Sequence, residues 1–181
     1  KRLARRAAIS AGQAALAVQD GEALLALEPG NEVHRFYLDL AHGNTPKTQP
    51  AAIITELFDG YAAQFDNHAA VELQYQLPRA VAEKITGWYP DFKVDVLDLG
   101  CGTGLLGASL GPIDGALIGV DLSQPMIDKA AARNVYHRFH RVNILDALAD
   151  TPADHYDVIT ALDVFIYVGA LDAAIANAFR V

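Results

Sequence analysis

From residue 94 onward the chain alternates short apolar runs with amphipathic stretches. Residues 94–99, 116–120, 139–144 and 157–162 are runs of strand length. Helices are predicted to start between them near Gly104, Gln124 and Ala147. Ser123, with Pro125 two residues on, suits a helix start, because the hydroxyl caps a free N–H and proline fits the first turn. Apolar strands alternating with helices predict an α/β fold with a parallel sheet covered on both faces. Ligands of such sheets bind beyond the carboxyl ends of the strands, and the turn Gly100–Gly104 ends the first strand.

Ahead of this region the pattern is helical. Residues 3–28 are rich in alanine and leucine, with no proline before Pro29, and predict two short helices broken near Asp20-Gly21. Residues 32–42 predict another helix. The close Leu27-Glu28-Pro29-Gly30-Asn31 resembles the end of a tetratricopeptide helix pair, the alternative being a plain helical hairpin. Residues 43–50 are rich in turn formers and read as a linker. A helix over 53–65 places Phe58, Tyr61 and Phe65 on one face. A second, over 71–88, contains Pro78, which marks a start or kink because proline lacks the interior N–H. The expected organisation is a helical segment over 1–45, a linker and helical cover over 46–92, and the α/β core over 93–181.

Composition narrows the function classes. The chain has 181 residues, 52% hydrophobic and 20% charged, as in an ordinary globular protein. No apolar run reaches the ~20 residues of a membrane span, and the basic start Lys1-Arg2-Leu3-Ala4-Arg5-Arg6 lacks the apolar core of a signal peptide. The net charge is −8, with four of the 14 basic residues in the first six positions, which argues against a nucleic-acid partner. The single cysteine, Cys101, makes an internal disulfide impossible and points to a reducing cytoplasm. None of the six histidines shows metal-ligand spacing, so no metal is expected. The chain opens without methionine and closes inside an apolar helical pattern. It is therefore expected to be part of a longer protein, continuing past Val181 into a proline-glycine turn and a fifth strand.

The chemistry gathers around the glycine turn. Asp98 stands two residues before Gly100. A carboxylate there repels a pyrophosphate and attracts a cationic group, such as the ammonium and sulfonium of S-adenosylmethionine. Asp121 directly follows the second strand, 21 residues after Gly100, where an acid accepts from ribose hydroxyls; a capping aspartate is the structural alternative. The sequence Gly102-x-Gly104-x-x-Gly107 also matches a dinucleotide fingerprint, against which Asp98 argues.

Val96-Leu97-Asp98-Leu99-Gly100-Cys101-Gly102-Thr103-Gly104 resembles the first motif of the class I S-adenosylmethionine-dependent methyltransferases. The stretch Leu117-Ile118-Gly119-Val120-Asp121-Leu122-Ser123-Gln124-Pro125-Met126 resembles their second, and Tyr156-Asp157-Val158-Ile159-Thr160-Ala161-Leu162-Asp163 their fourth. The likeness spans about residues 55–181. A narrower one, to bacterial methyltransferases with tetratricopeptide repeats, rests on Leu57-Phe58-Asp59-Gly60-Tyr61-Ala62-Ala63-Gln64-Phe65-Asp66-Asn67-His68 and Leu73-Gln74-Tyr75-Gln76-Leu77-Pro78.

The resemblance implies a Rossmann-like sheet of strand order 3-2-1-4-5-7-6, of which four strands are present, and S-adenosylmethionine as cofactor. It implies that Asp98 and the backbone of Gly100, Cys101, Gly102 and Gly104 hold the methionine portion, with Tyr61 above it. Asp121 binds the ribose, Leu122 and Met126 pack on adenine, and Asn143 meets the adenine amino group, with Asp146 as rival. Asp163 either orients or deprotonates the acceptor or caps the following helix. Tyr167 lines the acceptor pocket or packs in the core. The acceptor is a small molecule or a protein, and the N-terminal helices are a candidate surface for a protein partner. A non-catalytic cofactor-binding scaffold and a nicotinamide-dependent dehydrogenase are the alternatives.

Overall fold

A four-stranded, wholly parallel sheet of order β3-β2-β1-β4 organises the C-terminal part of the chain. Its strands are β1 (Val96–Leu99), β2 (Leu117–Val120), β3 (Arg138–His140) and β4 (Val158–Ala161). The computed structural model describes residues 14–44, 49–169 and 171–181. Contacts divide the chain into two compact units, residues 1–53 and 54–181, so the expected helical cover falls almost wholly in the same unit as the sheet.

In the first unit, α1 (Ala14–Leu27) and α2 (Glu32–Ala41) form a helical hairpin. Asn31 ends the connection and caps α2, its side chain accepting from the N–H groups of Val33 and His34. The expected break at Asp20-Gly21 is absent, and α1 runs straight through. Gly21 is buried against α2, where a Cβ would lie 3.0 Å from Leu38 Cδ1. Its small size serves close helix packing rather than a turn. The portion of the expected first helix before Ala14, and linker residues 45–48, lie outside the described residues.

The second unit carries α3 (Ala51–Asn67) from Ile54 onward, a π-helical turn (His68–Glu72), α4 (Leu77–Trp88), α5 (Leu105–Leu110), α6 (Gln124–Ala131), α7 (Ile144–Asp150) and α8 (Asp172–Arg180). The second cover helix begins at Leu77, not near residue 71. Pro78 occupies its first turn, where a missing N–H costs nothing. One face of the sheet packs Val96 and Leu117 against Ile85 of α4 and Leu106 and Leu110 of α5. The other packs Leu97, Leu99, Ile118 and Val120 against Ile144 and Leu148 of α7. Each fully buried aliphatic side chain contributes about 1.5–3 kcal/mol.

The third strand departs from expectation. It covers only Arg138–His140, with both terminal residues exposed. Asn143 accepts from the Leu145 N–H at 2.9 Å and starts α7, so Ile144 belongs to a helix and the apolar run 139–144 is split between two elements.

Candidate functional site

The turn after β1 is built from left-handed glycines. Gly100, Gly102 and Gly104 have φ of 66°, 53° and 79°, values at which any other residue is strained. A Cβ at Gly100 would meet Val164 at 2.5 Å, whereas one at Gly102 would meet nothing within 4 Å. The chain is thus packed tightly behind Gly100 and open beside Gly102. Cys101 sits between them with its Sγ tucked toward Gly119 on β2. Burial, followed by the nearby Asp98 and Asp121 carboxylates, pushes its thiol pKa above the ordinary value, which removes the thiolate needed for nucleophilic chemistry.

Asp98 lies under this turn, 2% exposed. Its Oδ2 accepts from Tyr136 at 2.7 Å and its Oδ1 from Thr160 at 2.8 Å. Burial pushes its pKa up to about 6, opposed by those two hydrogen bonds, while Asp121 adds to the rise. Asp98 borders a shallow, open cleft with Gly100, Gly102, Thr103, Phe65 and Tyr75. Among the described residues, no lysine or arginine lines that cleft.

Asp121 follows β2 on the far side of the turn. Its Oδ2 accepts from the Gly102 N–H and its Oδ1 from the Ser123 N–H, both at 2.9 Å. A carboxylate has about four lone-pair sites, so two backbone amides orient it and leave capacity for a diol. Burial raises its pKa; its backbone hydrogen bonds lower it. Leu122 is half-buried and Met126 is 1% exposed. Asn143 spends its Oδ1 on capping α7, and Asp146 is exposed in the first turn of that helix.

Helix α3 covers the turn through side chains that sequence reasoning did not assign. Asp66 accepts from Thr103 Oγ1 at 2.5 Å and from Arg133 Nη2 at 2.6 Å, and Arg133 also donates to the Thr103 carbonyl. Asp59 accepts from Ser123 at 2.6 Å. Tyr61, on the same helix, is half-buried with its ring edge-on to Phe65 and His68. Phe65 borders the cleft; Tyr61 is not among the lining residues. His68 contacts Glu72 at 3.1 Å within the π-helical turn.

Asp163 lies just past β4, exposed and left-handed with φ of 53°, a conformation aspartate tolerates better than most residues. Burial, then a hydrogen bond to Asp163, pushes the Tyr75 pKa above the ordinary value. Burial and the Asp163 charge raise that of Tyr167, whose ring packs edge-on to Phe58. The cleft and the Tyr75–Asp163 pair therefore share Tyr75.

Tyr136, Thr160, Asp66, Arg133 and Tyr75 were missed as site residues. Tyr136 and Arg133 lie outside any motif, and Thr160, Asp66 and Tyr75, although inside motif stretches, carry no periodic signal that marks them as neighbours of the turn. Gly107, the last glycine of the Gly102-x-Gly104-x-x-Gly107 stretch and part of α5, did carry a signal: a Cβ there would meet Tyr136 at 2.4 Å, so its absence marks a close neighbour.

Parts of the chain are similar to known methyltransferases. Residues 97–181 match the family model described as a methyltransferase domain. The chain is 33% identical over 78 residues to the ubiquinone biosynthesis O-methyltransferase of Nitrosospira multiformis, covering 41% of this chain and 32% of that protein. It is 31% identical over 117 residues to the human methyltransferase-like protein 27, covering 63% and 45% respectively. The chain thus spans less than half the length of these relatives. The magnesium protoporphyrin IX methyltransferase of Synechocystis, solved with bound S-adenosylmethionine, superposes with a TM-score of 0.53 at 20% identity, over 74% of this chain and 73% of that one. This likeness shows the fold. Among the described residues no helix is long and apolar enough to cross a membrane. The parallel sheet with its glycine turn has the Rossmann-like fold of that solved neighbour, and residues 97–181 match the model of a methyltransferase domain.

Proposed function

We propose that this protein binds S-adenosylmethionine across the carboxyl ends of β1 and β2 and transfers its methyl group to a small-molecule or protein acceptor. The observation that carries this reading is the buried Asp98 carboxylate bordering a cleft without cationic side chains. Such a site favours the cationic amino-acid end of the cofactor and disfavours a dinucleotide pyrophosphate. The open side of Gly102 supplies room for close approach.

In this reading Asp98 pairs with the ammonium, and the backbone of Gly100, Cys101, Gly102 and Gly104 holds the methionine portion. Tyr61 and Phe65 roof it. Asp121 receives the ribose hydroxyls on the lone pairs that Gly102 and Ser123 leave free. Leu122 and Met126 flank the adenine. Asn143 Oδ1, which accepts from the Leu145 N–H with one lone pair, receives the adenine amino group on the other.

S-adenosylmethionine supplies an electrophilic methyl carbon on a sulfonium. The protein's task is to hold an acceptor in line with that carbon, and such positioning is worth about 7–11 kcal/mol. Asp163 takes the acceptor's proton where one must leave, with the Tyr75 hydroxyl fixing its carboxylate. The lack of cationic lining favours neutral or amine acceptors over anionic ones. The hairpin of α1 and α2, with Leu16 and Leu27 exposed, is the surface offered to a protein partner, in the manner of a tetratricopeptide pair. A single buried cysteine suits a cytoplasmic setting.

Calorimetric titration with S-adenosylmethionine and with NAD tests the cofactor assignment, and a radiolabelled-methyl screen tests transfer. The expected result is binding of the first cofactor only, followed by label transfer. Binding of NAD alone overturns the reading; binding without transfer to any acceptor supports a scaffold instead.

A further inference from the structure

Tyr136 stands in the segment between α6 and β3, far from the glycine motif in sequence and against it in space. Its hydroxyl lies 3.3 Å from the backbone nitrogen of Gly107 and 2.7 Å from Asp98 Oδ2. The Gly107 N–H can only donate, so the phenol oxygen accepts from it. The phenol proton then has one direction left, toward Asp98. The relay runs Gly107 N–H to Tyr136 O–H to Asp98 with fixed polarity, and it requires Oδ2 to be an acceptor.

The packing enforces the same arrangement. The Tyr136 ring fills the space beside two glycines: a Cβ would meet it at 3.0 Å from Gly104 and at 2.4 Å from Gly107. Phe139 supports the ring from the other side, with centroids 4.9 Å apart. The ring is therefore held against the turn by contacts independent of its hydroxyl.

We propose that Tyr136 is a positioning residue for cofactor binding, holding Asp98 as an unprotonated, correctly turned acceptor for the cofactor's ammonium. This rests on the reading of Asp98 given above. Thr160 cannot do the same alone, because its hydroxyl also lies 3.4 Å from the Leu97 carbonyl and is free to turn there. The other titratable groups facing Asp98 are Cys101 from the turn, Asp121 from the end of β2 and Tyr75 ahead of α4. Asp121 opposes ionisation of Asp98, and Cys101 and Tyr75, neutral near pH 7, offer no positive charge. The two hydroxyl donors are what favour the charged form against burial.

The test is calorimetric titration from pH 5 to 8 with two probes, on the wild-type protein and on Tyr136→Phe and Asp98→Asn. S-adenosylhomocysteine carries the ammonium; 5′-methylthioadenosine keeps the adenosine and lacks the amino-acid end. In the wild type, homocysteine-probe affinity is expected to fall below about pH 6, while the truncated probe shows no such step at that pH. In Tyr136→Phe the midpoint of that fall should move up by about 0.5–1 pH unit, with the truncated probe unaffected. A Tyr136→Phe protein that loses affinity equally at every pH, or for both probes equally, shows a merely structural role and overturns the proposal. If Asp98→Asn binds S-adenosylhomocysteine like the wild type, the reading of Asp98 itself fails, and the inference with it. If that variant loses the pH step but Tyr136→Phe leaves its midpoint unmoved, only the inference fails.

Discussion

Arg133 donates to Asp66 across 2.6 Å, joining the segment after α6 to a residue 67 positions earlier at the end of α3. Because Asp66 also accepts from Thr103, one carboxylate fastens the cover helix to the glycine turn. In the proposed reading the cover helix loosens as the cofactor exchanges, and this contact then contributes to the exchange rate. Both partners are partly exposed, and such a pair is worth about 1 kcal/mol. Asp66→Asn should therefore speed S-adenosylhomocysteine dissociation several-fold in stopped-flow experiments, more at low than at high salt. An unchanged off-rate would remove the latch role.

Asp121 is turned toward its site by two backbone amides, from Gly102 and Ser123. Asp121→Ala should weaken S-adenosylmethionine binding by roughly 1–3 kcal/mol, the range for lost charge-assisted hydrogen bonds. The same loss should appear with 5′-methylthioadenosine, since the ribose is common to both. Equal affinity of variant and wild type for the truncated ligand would place the ribose elsewhere.

Two glycines of the turn separate folding from binding. Gly107→Ala drives a methyl group into Tyr136 at 2.4 Å and should cost about 1–3 kcal/mol of stability by overpacking. At Gly102 a methyl group meets no protein atom, so Gly102→Ala carries only the left-handed backbone penalty of about 1–2 kcal/mol. That methyl occupies the space assigned to the cofactor, and affinity should drop at least about tenfold, a loss of ~1.4 kcal/mol. Urea denaturation and titration on each variant compare the two effects. Full affinity in Gly102→Ala would mean the open side is not where the ligand lies.

Asp98 makes stability depend on pH in a defined direction. Its folded pKa is pushed up to about 6, from an ordinary value of 3.8. Between these values the folded state holds more protons than the unfolded chain, so stability falls as pH rises through that window. Asp121, also raised, acts in the same sense. The urea midpoint of Asp98→Asn should vary less than that of the wild type between pH 4 and 6. An identical slope in both proteins would assign the pH dependence to other groups.

Much of the architecture was legible because burial writes itself into sequence. The expected runs containing β1, β2 and β4 are dense in aliphatic residues, and the sheet needs those residues between two helical layers. The run at 139–144 misled because β3 buries little: Arg138 and His140 are exposed, Val142 lies in the connection, and Ile144 belongs to α7. Gly21 misled because a glycine serves a turn and a close helix crossing equally well. Within the site, Asp98 and Asp121 were legible because they flank a glycine motif. Tyr136, Thr160, Asp66 and Arg133 were not, since their partners lie 29 to 67 positions away. Only the fold creates those neighbourhoods.

The most direct measurement is a crystal structure with S-adenosylhomocysteine bound. The account predicts the ammonium against Asp98, the ribose hydroxyls on Asp121, and the amino-acid tail in the cleft beside Gly102. Density for the ligand elsewhere, or a nicotinamide dinucleotide occupying that cleft with its pyrophosphate on the glycine turn, would contradict it.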